Sequence, residues 1–250
     1  VTALVAQNTR GVREVHTPPQ GFLRAQLDAV VDDVTIDAIK IGMLGDAPTT
    51  ATVSTFLGAH PVPIVVVDPV MVATSGDRLL STDAEEALRQ LIRDHATVVT
   101  PNIPELAVLT GAAAATDFDA AVAQGASFAA DTGVSVLVKG GHLTGAYASN
   151  AMVTPAGEVR VIAVPRVDTP NTHGTGCSLS SALATRLTID ASGNAAAEWA
   201  SHWLHEAISH ADALHVGGGH GPVDHFHALR RRAASGSTRP WGETDRWHEG

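Results

Sequence analysis

The sequence predicts an α/β fold with a mainly parallel central sheet that is covered by helices on both faces. Short β-branched apolar runs alternate with segments whose apolar residues recur at helical spacing, and this order repeats along most of the 250 residues. Glycine or polar residues follow several predicted strands, as at Gly42, Asp68 and Gly140. Ligands of such sheets bind beyond the carboxyl ends of the strands, so we expect one shared cleft there.

Each element rests on a local pattern. Residues 134–138 are apolar on both faces, as expected for a buried parallel strand, and Gly133 before them suits the left-handed end of a helix over 120–130. A more polar stretch over 151–164 has the pattern of a hairpin. The other predicted strands cover 1–6, 36–41, 64–67 and 97–99, and the other helices are marked by Leu23 and Leu27, by 50–57, by Leu88 and Leu91, by Leu179 and Leu183, and by Trp199 and Trp203.

Composition limits the classes of partner. Sixteen Lys and Arg against 26 Asp and Glu give a formal charge of -10, which offers no broad positive surface to a nucleic acid. The strongly apolar runs are a few residues long, far short of the roughly 20 that span a bilayer, so we expect a soluble protein without a membrane partner. The single cysteine, Cys177, excludes an internal disulfide and fits a cytoplasmic location.

The domain organisation is predicted from where the periodic pattern stops. We expect one domain over 1–229, followed by a polar tail over 230–250 that is disordered or loosely attached. The arginines at 230–232 are interpreted as a solvated helix end, with contact to an anionic partner as the alternative.

The strongest local signal is the segment 171–177, Asn-Thr-His-Gly-Thr-Gly-Cys, which leads directly into a predicted helix. Glycine lets the backbone approach an anion closely, and the amides of Gly174, Thr175, Gly176 and Cys177 can point at that anion from the helix N-terminus. This pattern indicates phosphate chemistry, with an ordinary tight turn as the alternative. It is neither a Walker A loop nor a dinucleotide fingerprint.

Several short motifs occur along the chain in the order known from one family. They are Ala6-Gln7-Asn8-Thr9, Lys40-Ile41-Gly42-Met43, Asp68-Pro69-Val70-Met71, Ser75-Gly76-Asp77, Thr100-Pro101-Asn102 with Glu105, Val138-Lys139-Gly140-Gly141-His142, Gly174-Thr175-Gly176-Cys177, and Gly219-His220-Gly221-Pro222 with His225-Phe226-His227. Together they resemble the hydroxymethylpyrimidine/phosphomethylpyrimidine kinases of thiamine synthesis, within the ribokinase-like superfamily. The match runs from Val1 to about Leu229.

The resemblance implies an activity. The expected reaction transfers the γ-phosphoryl group of ATP, with Mg²⁺, to the hydroxymethyl group of 4-amino-5-hydroxymethyl-2-methylpyrimidine and then to the resulting monophosphate. The resemblance also implies a cytoplasmic homodimer. Two alternatives stay open: a pyridoxal or pyridoxine kinase, and a truncated homologue that binds the pyrimidine without phosphorylating it.

The resemblance also implies roles for individual residues. Cys177 accepts the proton of the substrate hydroxyl beside an anion hole, and a helix N-terminus can lower the pKa of such a thiol. The remaining roles are pyrimidine binding by Gln7, Met43 and Val70, nucleotide binding by Asn102, Glu105, Lys139 and Thr172, and Mg²⁺ binding by Asp68 and Glu105. The simpler readings are a strand-end cap for Gln7, core packing for Met43 and Cys177, an exposed helix start for Glu105 and a surface lysine for Lys139.

Members of this family usually carry a further strand and a glycine-rich segment before the position that matches Val1. We therefore expect a chain extended upstream by one strand and its loop to be more stable and more active than the 250-residue form.

Overall fold

The computed structural model describes residues 1–71, 80–81, 83–190 and 192–235, which form a six-stranded sheet with helices on both faces and a separate two-stranded hairpin. The strands are β1 Leu4–Asn8, β2 Gly11–His16, β3 Ala38–Ile41, β4 Ile64–Val67, β5 Val98–Val99, β6 Ser135–Lys139, β7 Asn150–Val153 and β8 Val159–Ile162. The helices are α1 Gln20–Val31, α2 Ala47–Ala59, α3 Ala84–His95, α4 Ile103–Thr110, α5 Phe118–Thr132, α6 Thr175–Leu187, α7 Gly193–Ser209 and α8 His227–Ser235.

The large sheet has the order β3-β4-β5-β6-β7-β8. Strands β3 to β6 are parallel, and β7 and β8 extend the sheet in antiparallel fashion. The predicted α/β fold with a mainly parallel sheet is confirmed, and the hairpin expected over 151–164 is the pair β7 and β8. Each parallel crossover contains a helix, as this strand order requires.

The core lies in two layers because successive side chains of a strand point to opposite faces. Val67 and Val99 belong to the layer that packs against α2, α3, α4 and α5. Val66, Val98 and Leu137 belong to the layer under α6 and α7. Apolar residues on both faces of the parallel strands are therefore buried, as the pattern of 134–138 predicts.

The N-terminal strand differs from the expectation. Residues 1–6 were expected to end as a strand before a loop at Gln7, but β1 continues through Asn8 and pairs with β2 around a register shift at Ala6 and Gln7. This hairpin does not join the large sheet. The hairpin is attached near its start, where the hydroxyl of Thr2 donates to the carbonyl of Met43 at 2.7 Å, and at its turn, where the amide of His220 donates to the carbonyl of Thr9 at 2.9 Å.

One edge of the large sheet is formed by β3 in the described residues. A groove of about 460 Å³ lies between this strand and α6, with Ala38, Lys40, Ala184 and Thr188 among its lining residues. Since Lys40 is also part of the residue cluster at the carboxyl ends of the strands, the edge strand belongs to the candidate site.

Helix α8 crosses the predicted boundary between domain and tail. The guanidinium of Arg230 pairs with Asp224, and that of Arg231 lies 3.6 Å from the carboxylate of Glu206. These contacts agree with a helix end and give the first residues of the expected tail fixed partners. Residues 236–250 and the motif Ser75-Gly76-Asp77 lie outside the described residues. In the part that is described, no helix is long and apolar enough to cross a membrane.

Close packing between α5 and β6 yields a stability prediction. A Cβ atom at Gly125 would lie 2.5 Å from Cγ2 of Val138, whereas one at Gly58 in α2 would meet only the His95 ring at 3.8 Å. We expect Gly125→Ala to lower the free energy of unfolding by about 1–3 kcal/mol through overpacking. Gly58→Ala, the matched helical control, should be neutral or stabilising. Urea denaturation measures both, and an unchanged Gly125→Ala would contradict this packing.

Candidate active site

The candidate site lies at the carboxyl ends of the parallel strands, against the start of α6. Lys40 is in β3, Asp68 directly follows β4, and Lys139 ends β6. A Cβ atom at Gly176, in the first turn of α6, would lie 3.3 Å from the ammonium nitrogen of Lys139 and 3.8 Å from Asp68. The sheet therefore places two cations and a carboxylate beside the glycine-rich turn, as the sequence predicts for its shared cleft.

Asp68 is the centre of this cluster and is 1% exposed. Its Oδ1 accepts a hydrogen bond from the ammonium of Lys139 at 2.9 Å, and Thr100 Oγ1 donates to the same oxygen at 3.3 Å. Its Oδ2 lies 3.7 Å from the ammonium of Lys40 and 3.3 Å from the hydroxyl of Ser180. Both oxygens therefore have partners, as a buried carboxylate requires.

The pKa values show that the central pair is charged. Burial raises the pKa of Asp68, but Lys139 and Lys40 outweigh it, so the pKa is below its ordinary value. Burial likewise lowers the pKa of Lys139, but the nearby carboxylates of Asp68 and Glu105 outweigh it and the net shift is upward. Asp68 and Lys139 therefore form a buried ion pair at neutral pH.

Glu105 and Asn102 begin α4 with a capping box. The side chain of Asn102 accepts from the amide of Glu105 at 2.9 Å, and the Glu105 carboxylate accepts from the amide of Asn102 at 2.8 Å. Asn102 is thus the N-cap of α4, as Pro104 in the first turn of the helix suggests from the sequence. Glu105 is buried, so it is not an exposed helix-start residue, and burial raises its pKa although Lys139, 3.7 Å away, acts in the opposite direction.

The glycine-rich turn has the geometry of an anion site. Gly174 takes a left-handed conformation with φ of 82° and provides no side-chain cap for α6. The amide of Thr175 is 3.4 Å from the carbonyl of Thr172, and those of Gly176 and Cys177 donate to no group of the described residues. Amides left free at a helix N-terminus are suited to bind a phosphate.

Cys177 lies at the surface of this turn. The Cys177 residue is exposed to solvent, so it is not the buried apolar side chain of the simpler interpretation. The expected lowering of its pKa is wrong: neighbouring protein atoms restrict the hydration of the thiolate and raise the pKa above 9.0, and Lys40 and Lys139 only partly offset this. The thiol is therefore mainly protonated at neutral pH.

The residues expected to bind the pyrimidine are more dispersed. Met43 follows β3 and Val70 follows β4, and both are half-buried, with the amide of Val70 donating to the carbonyl of Asp68 at 2.8 Å. Gln7 lies in the exposed hairpin. Within the described chain no hydrogen bond connects Gln7 with Met43 or Val70, so the grouping of these three residues around the pyrimidine stays a prediction.

Sequence reasoning missed several residues of the cluster. Lys40, Thr100 and Ser180 contact Asp68, and Ser178 is hydrogen-bonded to His225. The available signal for Lys40 was its place near the end of a strand, which resembles that of Lys139. Ser180 lies three residues after Cys177, but its inward direction depends on how α6 packs on the sheet.

The two carboxylates do not fit direct Mg²⁺ coordination. Both oxygens of Asp68 are engaged, and an oxygen of Glu105 accepts from the amide of Asn102 and faces Lys139. A metal ion between the carboxylates would have to displace the Lys139 ammonium. Mg²⁺ in kinases is held largely by the nucleotide phosphates and water, so a role of Asp68 and Glu105 toward hydrated Mg²⁺ stays a prediction.

The Asp68 ion pair leads to a prediction for stability. Asp68→Asn removes the carboxylate that is hydrogen-bonded to the buried Lys139 ammonium, so the free energy of unfolding should fall by about 3–5 kcal/mol at pH 7. The pKa of Asp68 is lowered from 3.8 by folding, so this stabilisation is present above that pH and is lost as the pH falls through the folded pKa.

Urea denaturation between pH 7 and pH 3 measures this difference. Asp32→Asn, at the exposed end of α1, serves as the control and should remain close to the unsubstituted protein. An Asp68→Asn variant as stable as this control at pH 7 would exclude the central role of the carboxylate.

The chain is similar to known proteins over most of its length. The sequence profile described as phosphomethylpyrimidine kinase matches residues 1–224. A thiamine biosynthesis multifunctional protein ThiED of Corynebacterium efficiens is 56% identical over 241 residues, 96% of this chain and 32% of that protein. The chain thus spans about a third of that relative. The hydroxymethylpyrimidine/phosphomethylpyrimidine kinase of Salmonella typhimurium is 46% identical over 91% of this chain and 85% of its own length.

Solved structures share the fold. The phosphomethylpyrimidine kinase of Clostridium difficile aligns with a TM-score of 0.71 and 32% identity over 83% of this chain and 84% of that one. The ADP complex of Staphylococcus aureus pyridoxal kinase aligns with a TM-score of 0.82 and 27% identity over 92% of this chain and 82% of that one. These structures confirm the ribokinase-like fold. From the match over residues 1–224 and the relatives of this length, the chain belongs to the phosphomethylpyrimidine kinase family.

Proposed function

We propose that this chain transfers the γ-phosphoryl group of ATP to the hydroxymethyl group of 4-amino-5-hydroxymethyl-2-methylpyrimidine, and then to the phosphate group of the product. The observation that carries this proposal is the uncapped N-terminus of α6, whose amides lie beside the Lys139 ammonium. A phosphoryl group that gains negative charge during transfer is stabilised by such donors.

Each part of the cluster has a role in this proposal. The amides of Gly174, Thr175, Gly176 and Cys177 hold the transferring phosphoryl group, and Lys139 supplies positive charge. Asn102, Glu105 and Thr172 lie on the nucleotide side, where Glu105 orients Lys139 and caps α4. Mg²⁺ held by the phosphates of bound ATP would supply positive charge that lowers the repulsion between the phosphates and the attacking oxygen.

Cys177 accepts the proton of the attacking hydroxyl. Because neighbouring protein atoms restrict the hydration of its thiolate and raise the thiol pKa, only a small fraction is thiolate at neutral pH, but that fraction is a stronger base than an ordinary thiolate. Lys40 and Lys139 stabilise the thiolate electrostatically. Phosphoryl transfer depends mainly on positioning and charge, so a small reactive fraction is sufficient.

The pyrimidine is the favoured acceptor. The pyrimidine kinase relative from Salmonella is 46% identical, whereas the pyridoxal kinase structure is 27% identical. We assign Met43 and Val70 to one side of the acceptor and Gln7, on the hairpin, to its amino-substituted ring. A binding protein without activity is disfavoured, since the turn, Lys139 and Cys177 are all in place. By family resemblance we further propose a cytoplasmic homodimer, which light scattering tests.

The function is tested by a coupled ADP-release assay with three acceptors: the free pyrimidine, its monophosphate, and pyridoxal. We expect pyrimidine-dependent ADP release in the first two and much less in the third. Isothermal binding of the pyrimidine without ADP release would instead support the non-catalytic alternative. Faster turnover of pyridoxal would overturn the acceptor assignment.

If Cys177 accepts the substrate proton, its removal should lower turnover and leave ATP affinity unchanged. Cys177→Ala should lower kcat by about 100-fold or more, since a general base contributes about 10²- to 10⁴-fold, while ATP affinity stays near that of the unsubstituted protein. The rate of the unsubstituted protein should also rise with pH between 7 and 9, because the raised thiol pKa leaves the base largely protonated throughout this range and the thiolate fraction grows with pH. Steady-state kinetics over this range measure both effects, and an equal pH dependence in Cys177→Ala would remove the role.

The anion site predicts a different defect at Gly176. A side chain there meets the Lys139 ammonium at 3.3 Å, so Gly176→Val should displace the turn and lower kcat/KM by about 100-fold, comparable to the loss of one oxyanion donor. Gly21→Val, at the exposed start of α1 with no atom within 4 Å of the added Cβ, is the control. Unchanged kinetics in Gly176→Val would exclude the anion-hole assignment.

A further inference from the structure

The start of α6 has to be held in place by something other than a cap. Gly174 has no side chain, and no side-chain hydrogen bond caps the helix. A conventional N-cap residue contributes about 1 kcal/mol but uses one of the amides that an anion would bind. The turn therefore keeps its donors free, and its position depends on contacts from neighbouring elements.

One such contact comes from the C-terminal segment. The hydroxyl of Ser178 and Nε2 of His225 are hydrogen-bonded at 2.7 Å. Ser178 is buried and belongs to the first turn of α6, where its amide donates to the carbonyl of Gly174 at 2.9 Å. The His225 ring is thus connected, through a single residue, to the glycine that opens the anion site.

The same segment holds the other side of the turn. The amide of His173 donates to the carbonyl of Gly221 at 3.0 Å, and the amide of Gly221 donates to Oδ1 of Asn171 at 2.9 Å. The approach is close, because a Cβ atom at position 221 would lie 2.3 Å from that oxygen. Residues 221–225 therefore contact the glycine-rich turn both before and after Gly174.

The backbone beside His225 is fixed by its surroundings, although the His225 residue is exposed. The preceding residue, Asp224, donates its amide to the carbonyl of Ala207 in α7 at 2.8 Å, and its carboxylate accepts from Arg230 at 3.0 Å. The His225 ring centroid lies 6.2 Å from that of Trp203. Because α7 and α8 both contact residues 221–225, the hydrogen bond between His225 and Ser178 fixes the start of α6 relative to these two helices.

We propose that His225 is a positioning residue, which sets the location of the anion-binding turn through its hydrogen bond to Ser178. The inference rests on the proposed kinase function, because positioning matters only if the turn receives a phosphoryl group. A small displacement of donors from a transferring group costs up to about 100-fold in rate. The effect falls on kcat more than on nucleotide affinity, because the bound ground state tolerates such a displacement better.

A serine bonded to a histidine is also the pair used by hydrolases. That reading requires a carboxylate to orient the ring. The nearest acidic neighbour in sequence, Asp224, is engaged by the amide of Phe226 and by Arg230. Ser178 is also buried within a helix. Within the described residues the pair is therefore structural and does not form a triad.

The experiment compares variants that distinguish the effect of the His225–Ser178 hydrogen bond from the effect of the His225 ring packing near Trp203. His225→Phe keeps a ring beside Trp203 and loses the bond, His225→Gln keeps a polar group able to reach Ser178, and Ser178→Ala removes the other partner. His227→Phe is the matched control, because its ring also lies 6.2 Å from Trp203 while its Nδ1 contacts the carbonyl of Asp224 and not α6.

We expect kcat for pyrimidine-dependent ADP release to fall about 10- to 100-fold in His225→Phe and in Ser178→Ala, with ADP affinity and melting temperature little changed. The double variant should lose no more than either single one, since both remove the same contact. His225→Gln should recover part of kcat, and His227→Phe should retain it. Turnover near that of the unsubstituted protein in His225→Phe and Ser178→Ala would overturn the proposal.

A second measurement does not depend on turnover. The amides at 173 and 178 flank the turn and are hydrogen-bonded to the carbonyls of Gly221 and Gly174. Their hydrogen exchange should be faster in His225→Phe and Ser178→Ala than in His227→Phe. If the unsubstituted protein releases no ADP with the pyrimidine but the exchange difference is found, the proposed function fails and the positioning contact stands. Equal exchange in all variants would overturn the contact itself.

Discussion

The ion pair between Asp68 and Lys139 is the interaction on which the arrangement of the site depends. Its atoms are 2.9 Å apart, and the carboxylate is almost fully buried. A buried charge is tolerated only when it is paired and hydrogen-bonded. The partners of Asp68 come from β3, from the residue after β5, from β6 and from α6. One carboxylate therefore connects four elements of the fold.

The two lysines that contact Asp68 differ in how much of their charge the protein balances. Lys139 lies between Asp68 and Glu105, so much of its charge is balanced by the protein before any ligand arrives. Among the described residues, the ammonium of Lys40 lies 3.7 Å from Asp68, a longer distance than that of the Lys139 pair. Lys139 therefore serves both the structure and the site, while more of the charge of Lys40 is available to the thiolate of Cys177 and to an incoming anion.

The sequence allowed the fold and the main components of the site to be predicted where local patterns determine them. Apolar residues on both faces of 134–138 required burial, Gly133 adopts the predicted left-handed end of α5, and Asn102 caps α4 as its spacing to Glu105 suggests. The contacts of Lys40, Ser178 and Ser180 could not be predicted from such local patterns. They join residues far apart in the chain, such as Ser180 and Asp68, and depend on the packing of α6 over the sheet. The pKa of Cys177 was mispredicted for the same reason, because the helix N-terminus is a local feature whereas hydration depends on tertiary packing.

The position of β3 at an edge of the large sheet links assembly to chemistry. Among the described residues, its outer side has no strand partner, and a groove separates it from α6. Backbone groups along such an edge are a template for further strand pairing, which natural proteins control by charge or by covering the edge. Lys40 lies on this strand and interrupts its apolar character. Its side chain is 18% exposed and its ammonium lies 3.7 Å from Asp68, so a strand that paired with this edge would lie beside the residue that adds positive charge to the site.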